Sequence, residues 1–361
     1  MDNRQIAFRV DASTKIGTGH FMRCFTLATE LLKQGAKVCF VCRHILPPLA
    51  YLLKQHGIGL KQLPSPNTPL AITFDTDTYA DWLGTNQLVD AEATIEVLSG
   101  TKTTWLIVDH YALDHRWETK LKACTEKIMV IDDLGNRKHG CDLLLDQNYY
   151  HDDINPYSDL VTNDCQLLIG PRYALLRPEF RQLRNQIKQR NHEVQRVLIF
   201  FGGVDTGDMT SIAIEALSML KELSFMVDVV IGNTHPNKEN IISICQQLGY
   251  HCHVQTNKMA ELIAQADLCI GAGGSATWER CALGLPSITF VVAENQQELT
   301  KNAARACLIY APTPSKNLVE TIRLHFTALY NNALLREYIS RKSMQLVDAE
   351  GALRVVKELN L

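Results

Sequence analysis

The sequence predicts two α/β domains, each built on a doubly wound parallel sheet, facing one another across a ligand cleft. Three observations lead there. Short apolar runs alternate with longer amphipathic stretches almost throughout, the pattern of strand–helix units on a parallel sheet. The chain has 361 residues, more than the roughly 250–300 at which a single core stops growing. The alternation also restarts after a highly charged stretch, Arg177–Arg196. Residues 1–190 are therefore expected to form a first Rossmann-like domain and residues 191–361 a second.

The elements follow in order. Ile6–Val10 reads as a strand, and a helix follows a glycine-containing loop, from His20 to Gln34. Gly35 stops that helix where a left-handed residue is wanted. Val38–Cys42 is the next strand, and Pro47–His56 a helix ending at Gly57. Trp105–Asp109, Ile128–Asp132 and Leu143–Leu145 continue the sheet. Leu63–Asp81, rich in Pro, Thr and Asp, reads as a long excursion near an active-site rim. Arg177–Arg196, with Arg184, Lys188, Arg190, Asn191 and His192, suits a linker or exposed helix. The second series runs through strands at Val197–Phe201, Val227–Ile231, Asp267–Gly271 and Ser287–Val292. Its helices are expected at Thr210–Leu223, Ser275–Leu283, Gln297–Cys307 and from Leu318 to the C-terminus.

Composition removes several function classes. Apolar residues make up 46% and charged residues 21%, an ordinary globular balance. A net charge of −3 gives no basic footprint for nucleic acid. Met1–Asp11 runs straight into a strand pattern without a basic-then-apolar leader, so no secretory signal is expected. No apolar stretch reaches the 18 or so residues of a membrane helix. The eleven cysteines are scattered, and the close pair Cys39 and Cys42 lies inside an apolar strand without a second pair at metal spacing. They read as buried hydrophobes of a cytoplasmic protein. No metal, cofactor, nucleic acid or membrane is expected.

Three glycine loops follow strand C-termini, where open α/β sheets bind ligands. Gly17-Thr18-Gly19-His20 departs from the dinucleotide fingerprint at Met22. Gly202-Gly203-Val204-Asp205-Thr206-Gly207 has a P-loop outline, but Asp208 stands where a lysine is required. Gly271-Ala272-Gly273-Gly274-Ser275, followed by Ala276, opens the helix carrying Glu279, and its amides suit a diphosphate. Glu279 is placed to accept from ribose hydroxyls, or is simply a carboxylate favoured by the helix dipole. Among twelve histidines, His20 sits between a glycine loop and a helix start. The dipole there disfavours imidazolium, so a neutral ring able to accept a proton is expected; the bland reading is a polar helix start. Tyr111, after Asp109-His110, could orient water or help His20. Asp132 and Asp133 read equally as caps or turn residues. Arg9 and Asp11 flank the first loop and pair either with each other or with the ligand.

Together these motifs resemble one family. Arg9-Val10-Asp11-Ala12-Ser13, Ile16-Gly17-Thr18-Gly19-His20 and Met22-Arg23-Cys24 are similar to the N-terminal signature of the UDP-2,4-diacetamido-2,4,6-trideoxy-β-L-altropyranose hydrolases of pseudaminic acid biosynthesis. The similarity continues through Val108–Tyr111, Asp132–Leu134, Asp146–Asn148, Tyr173–Phe180, Phe201–Asp205, Ile270–Arg280 and Ala293–Gln296. It implies a GT-B fold, shared with the glycosyltransferase that makes lipid II, and hydrolysis of a UDP-sugar with inversion at the anomeric carbon. The sugar released would pass to a phosphoenolpyruvate-dependent synthase on the way to a flagellin or surface glycan. The resemblance assigns His20 as general base with Tyr111 as helper. It assigns Gly17, Thr18, Gly19, Arg9, Asp11, Gly202, Gly203, Gly273, Gly274, Ser275, Ala276, Glu279 and Asn295 to substrate binding. No fused acetyltransferase domain is expected. The Leu63–Leu88 region matches the family least well.

Rival functions share the fold. A GT-B glycosyltransferase would use the same UDP site but needs an acceptor, often at a membrane. A hydrolysing UDP-sugar 2-epimerase would need carboxylates for proton chemistry at C2. A nucleotide-sugar-binding regulatory module would need no base at all.

Overall fold

The computed structural model describes residues 4–65, 79–100, 102–151, 154–187, 190 and 193–360. Its contacts divide the chain into two units, residues 1–175 with 351–361, and residues 176–350. The expected division at 190/191 thus moves toward the N-terminus, and the chain's end returns to the first unit.

In the first unit β1 (Gln5–Val10), β2 (Lys37–Cys42), β3 (Gly59–Gln62), β4 (Thr103–Asp109), β5 (Thr125–Ile131), β6 (Leu143–Asp146) and β7 (Gln166–Ile169) form one sheet in the order 3-2-1-4-5-6-7. Every pairing is parallel. Helices α1 (Gly19–Lys33), α2 (Pro47–Gln55), α3 (Ala80–Leu83), α4 (Gln87–Leu98) and α5 (His115–Leu121) lie between the strands. β1 is buried at five of its six positions, which is why it reads as a continuous apolar run interrupted only by Arg9. The strand order reverses between β1 and β4, whose C-terminal ends are neighbours, with Val10 opposite Asp109. Ligands of open α/β sheets bind at such a reversal. Gly35 has φ +83°, as the end of α1 requires.

The second unit contains α6 (Pro178–Arg184), α7 (Met209–Ser218), α8 (Lys238–Leu248), α9 (Met259–Gln265), α10 (Ala276–Ala282), α11 (Gln297–Arg305), α12 (Leu318–Tyr330) and α13 (Ala333–Leu346). Its strands β8 (Arg196–Phe200), β9 (Met226–Ile231), β10 (His251–Val254), β11 (Leu268–Ala272) and β12 (Ser287–Phe290) pair in parallel in the order 10-9-8-11-12. The reversal here falls between β8 and β11, the two strands that feed the second and third glycine loops.

Two expectations change. The helical stretch from Leu318 onward is three helices, and the last, α14 (Gly351–Glu358), packs in the first unit. Ala352, Val355, Val356 and Leu359 join the core beneath α1, and Trp105 donates to the Leu359 carbonyl at 3.1 Å. A Cβ at Gly351 would collide with the Ala174 carbonyl oxygen, so only glycine lets α14 start there. The charged stretch expected as a linker or exposed helix carries α6 and is tied into the second unit. Arg184 reaches the carbonyls of Ala282 at 2.5 Å and Met344 at 2.6 Å. Arg190 donates to Leu283 at 2.7 Å, Gly284 at 2.8 Å and Ala266, capping helix ends with a cation. Lys188, Asn191 and His192 lie outside the described residues, as do residues 66–78 of the expected rim excursion. Among the described residues no helix is long and apolar enough to cross a membrane.

Of the two pairings expected for Arg9 and Asp11, with each other or with a ligand, the structure shows the first. Both are buried, at 0% and 1% exposure, and neither presents a charge to a ligand. Arg9 lies 2.9 Å from Asp11 and donates to both oxygens of Asp90, at 3.1 and 2.8 Å. Asp90 also accepts from Arg43 at 2.8 Å and from Trp117 at 3.0 Å. Asp11 takes the backbone amides of Arg43 at 2.7 Å and His44 at 3.1 Å. The group locks β1, β2 and α4 together. Burial pushes Asp90 up, but Arg9 and Arg43 more than offset it and hold the carboxyl below its ordinary range. Asp90→Ala should cost about 3–5 kcal/mol of stability, because it strands the buried Arg43 guanidinium and takes from Arg9 one of its two carboxylates. Urea unfolding that shows a loss below about 1 kcal/mol would remove the network's structural role.

Candidate functional site

The first loop leads from β1 into α1. Gly17 has φ +81° and its amide bonds the Ser13 carbonyl at 2.8 Å, closing a tight turn that sets Thr18 and Gly19 at the surface. His20 follows within the first turn of α1. Its Nδ1 lies 2.6 Å from Asp109 Oδ1, at the end of the neighbouring strand β4. Two acceptors would repel at that separation, so the ring's proton sits on Nδ1 and is donated to Asp109. Nε2 is left with its lone pair and has no partner among the described residues. The side chain is 11% exposed, enough for a small molecule to reach it.

Asp109 is fully buried and serves a second cation. Arg23, one turn further along α1, donates to its two oxygens at 2.6 and 2.8 Å. Burial alone would push the Asp109 carboxyl up; Arg23, then His20, hold it well below the usual carboxylate range. Arg23 also reaches Asp133 at 2.8 Å. The cluster sets two carboxylates, Asp109 and Asp133, against the one guanidinium of Arg23.

Tyr111 belongs to this cluster differently from expectation. It is 2% exposed, and its hydroxyl donates to Asp133 at 2.5 Å. Its ring meets His20 edge to face at 4.5 Å. Trp82 stacks on Tyr111 at 5.5 Å and stands 6.1 Å from His20, while Tyr79 packs against both aromatic neighbours. Of the expected rim excursion, Tyr79 thus packs on the two rings that flank His20. Asp132 and Asp133 divide their roles. Asp132 accepts from the Gly135 amide at 3.0 Å and from Arg137 at 2.7 Å, a turn residue. Asp133 completes the His20 cluster. His110 turns inward, toward Asp11 at 3.3 Å.

In the second unit Gly202 takes φ +104°, but the loop's anion position is already filled. Asp205 accepts from the Met209 amide at 3.1 Å and from the Thr210 amide and hydroxyl at 2.8 and 2.7 Å. A carboxylate of the chain therefore caps α7 where a phosphate would bind. Asp205, Asp208 and His235 bring ligand atoms within 4.8 Å of one another. His235 Nδ1 accepts the Asn237 amide at 3.1 Å, so its proton sits on Nε2 and points at Asp205, 3.4 Å away. The lone pair that a cation would need is protonated.

The third loop remains open. Gly273 gives its amide to the Phe290 carbonyl at 3.0 Å, and a Cβ there would collide with the Thr300 hydroxyl. The amides of Gly274, Ser275 and Ala276 have no acceptor among the described residues. Glu279 is one turn into α10, its side chain 20% exposed and 3.4 Å from Arg177. Burial pushes its carboxyl up, against the pull of Arg177. Asn295 lies exposed on the short 3-10 turn Glu294–Gln296 after β12. Its neighbour Gln296 was missed from the sequence: it bonds the Val292 amide at 3.1 Å and borders Gly274. Asp109 and Arg23 were likewise named only as parts of motifs; a strand-end carboxylate next to a helix-start histidine was the available signal.

Residues 197–341 match the model of the glycosyltransferase family 28 C-terminal domain. The uncharacterized protein MJ1062 of Methanocaldococcus jannaschii is 26% identical over 317 residues, 81% of this chain and 57% of that protein. A UDP-2,4-diacetamido-2,4,6-trideoxy-β-L-altropyranose hydrolase from Campylobacter jejuni is 26% identical over 238 residues, 66% of this chain and 73% of the hydrolase. The spore coat polysaccharide biosynthesis protein SpsG of Bacillus subtilis is 26% identical over 168 residues, 45% of this chain and 49% of SpsG. The chain thus spans about half the length of two of these relatives. Among solved structures, MurG of Acinetobacter baumannii aligns over 99% of both chains with a TM-score of 0.64 at 14% identity. A UDP-GlcNAc 2-epimerase of Neisseria meningitidis aligns over 99% of both with 0.62 at 13%. The chain has the GT-B fold: two parallel-sheet α/β domains of the kind found in these glycosyltransferases.

One buried carboxyl beside the His20 cluster has a measurable signature. The Tyr157 oxygen lies 3.0 Å from Asp132 Oδ2 and 2.9 Å from Asp146 Oδ2. A hydroxyl has one hydrogen to give, so one of the two carboxyls must carry a proton. Arg137 and His139 hold Asp132 low, at about 2, although burial opposes them. Burial, then Asp133, push Asp146 up to about 8. The folded pKa lies above the unfolded value, so the folded state retains a proton that the unfolded chain loses. Stability from this group is complete below about pH 4 and is lost progressively as pH rises through about 8. Asp146→Asn keeps a donor facing Tyr157 and cannot ionise. Its stability relative to the parent should therefore rise between about pH 5 and pH 8 in urea unfolding. A difference that stays constant across that range would place the shared proton elsewhere.

Proposed function

We propose that the protein hydrolyses a UDP-sugar at the anomeric carbon with inversion, releasing UDP and the free sugar. The observation that carries this reading is the pairing of His20 with Asp109 at the strand-order reversal of the first sheet. A histidine whose Nδ1–H is held by a carboxylate keeps Nε2 available as a base in a fixed orientation. Water gives a proton to Nε2 as its oxygen bonds to the anomeric carbon, and the bond from that carbon to the diphosphate oxygen breaks. Asp109 stabilises the imidazolium so formed, while Arg23 keeps Asp109 ionised. The second unit carries the nucleotide, with Glu279 accepting from ribose hydroxyls and the amides of Gly274, Ser275 and Ala276 on the diphosphate. Thr18, Gly19 and Asn295 are assigned to the sugar and phosphates by their exposure.

The Campylobacter relative supports the finer assignment, to 2,4-diacetamido-2,4,6-trideoxy-β-L-altropyranose as the sugar and to pseudaminic acid synthesis, with the product passing to a phosphoenolpyruvate-dependent synthase. A second reading is favoured by a specific observation: the model matched over residues 197–341 is that of a glycosyltransferase domain. The same base would then deprotonate an acceptor hydroxyl. Release of UDP from the UDP-sugar in the absence of any acceptor separates the two, and a reaction that starts only when an acceptor is added would overturn hydrolysis.

His20→Asn should lower kcat about 10²–10⁴-fold, the usual contribution of a positioned base. UDP affinity should hardly change, because the nucleotide contacts are assigned to the other unit. Asp109→Asn should lower kcat within the same range by freeing the ring to take the wrong tautomer. A kcat within about threefold of the parent for His20→Asn would make His20 a structural helix-start residue. Glu279→Ala should weaken UDP binding by about 1.5–3 kcal/mol, as loss of charged hydrogen bonds does. Calorimetry with unchanged UDP affinity would remove Glu279 from the site.

A further inference from the structure

Arg280 is 1% exposed, on the helix that follows the third glycine loop. Its Nη2 donates to the Ala272 carbonyl at 2.8 Å and to the Thr277 hydroxyl at 3.1 Å. Nε and Nη1 are buried with no hydrogen-bond partner. Nη1 lies 3.4 Å from where a Cβ on Gly271 would stand, so the guanidinium sits directly behind the loop. No carboxylate pairs with it among the described residues. The buried arginines of the first unit are different: Arg9, Arg23 and Arg43 all bond aspartates.

The surroundings are polar without being satisfied. The hydroxyls of Ser287, Thr289 and Thr300 are buried and unpartnered. Ser287 and Thr289 are two apart on β12, so they share one face of the sheet, beside Cys269 and Gly271 of β11. Thr300 lies against Gly273 from α11. A buried cation without a counter-ion is costly to keep, and Arg280 keeps two unpartnered nitrogens beneath the loop whose amides are also open.

We propose that Arg280 is the buried cation of the nucleotide site, acting across the Gly271–Ser275 loop on the charge of a bound diphosphate without touching it. This rests on the reading that the loop holds the diphosphate of a UDP-sugar. Gly271 and Gly273 lack side chains that would widen the gap, and the water-poor interior weakens screening of the charge. Arg280 is thus a positioning residue for phosphate rather than for the nucleoside, and the two parts of the ligand report it separately.

The experiment measures the affinities of UDP, uridine and inorganic pyrophosphate for the parent, Arg280→Met and Arg280→Lys. Arg280→Met should lower UDP affinity about tenfold, a step of about 1.4 kcal/mol, lower pyrophosphate affinity similarly and leave uridine unchanged. Arg280→Lys, which keeps the charge but loses the fork, should restore most of the preference for UDP over uridine. Should Arg280→Met fail to fold, Arg280→Gln, which retains a donor for the Ala272 carbonyl, is measured in its place. Equal losses for UDP and uridine would make Arg280 a purely structural tie, and an unchanged ratio in a folded neutral variant would overturn the proposal. A parent that binds neither UDP nor pyrophosphate would remove the nucleotide reading and this inference with it. A parent that binds UDP while the neutral variants keep its preference would remove the inference alone.

Discussion

The carboxylate of Asp109 is the point on which the first unit's chemistry turns. It ends β4 opposite Val10 of β1, so the pairing of two parallel strands fixes its position before any helix is added. From there it takes the Nδ1–H of His20 and both arms of Arg23, two residues one helical turn apart on α1. The helix cannot rotate about its axis without breaking both contacts, and the imidazole cannot flip without facing a carboxylate with a lone pair. Tyr111 and Asp133 close the group from the other side. The strength of each contact comes from burial, since charges removed from water interact far more strongly than at a surface.

The two sheets repeat one geometric device. In each, the strand order reverses at the centre, and the loops leaving the two central strands diverge, so that side chains and amides at those strand ends stay accessible. The first unit fills the opening with ionisable side chains; the second fills it with glycines. At one of the second unit's loops, Asp205 satisfies the amides of Met209 and Thr210 that begin α7. At the other, α10 is only seven residues long, and the amides of Gly274, Ser275 and Ala276 have no acceptor among the described residues. The difference between the loops is one carboxylate, which no glycine count could reveal.

Much of this was legible in the sequence, and unevenly so. Central strands such as Ile6–Val10 and Val197–Phe201 are buried on both faces and stand out as apolar runs. The edge strands β3, β7 and β10 did not, because Gly59-Leu60-Lys61-Gln62 and its counterparts are half exposed and carry polar residues. The end of the chain was read as continuing the second domain, since helical periodicity records amphipathicity and not which core receives the apolar face. Arg184 and Arg190 were read as solvated for a similar reason: a cation that caps carbonyls looks the same in sequence as one in water. His20 was found from its place at a helix start, whereas Asp109, distant in sequence, needed the sheet register to bring it within 2.6 Å.

Buried charge in the chain therefore serves two purposes that composition cannot separate. Around Asp90 and Asp11 it is neutralised within the fold, and each guanidinium has its carboxylate. Such groups add specificity to strand and helix placement at little net gain in stability. Around Asp109 two carboxylates, its own and that of Asp133, face the single guanidinium of Arg23 beside the His20 ring. Beneath the third glycine loop the imbalance has the opposite sign, with Arg280 lacking a carboxylate. An acid–base site should sit where protonation relieves charge, and an anion site where an anion does. The two imbalances fall at the strand-order reversals of the two sheets, and their signs follow the chemistry assigned to each unit.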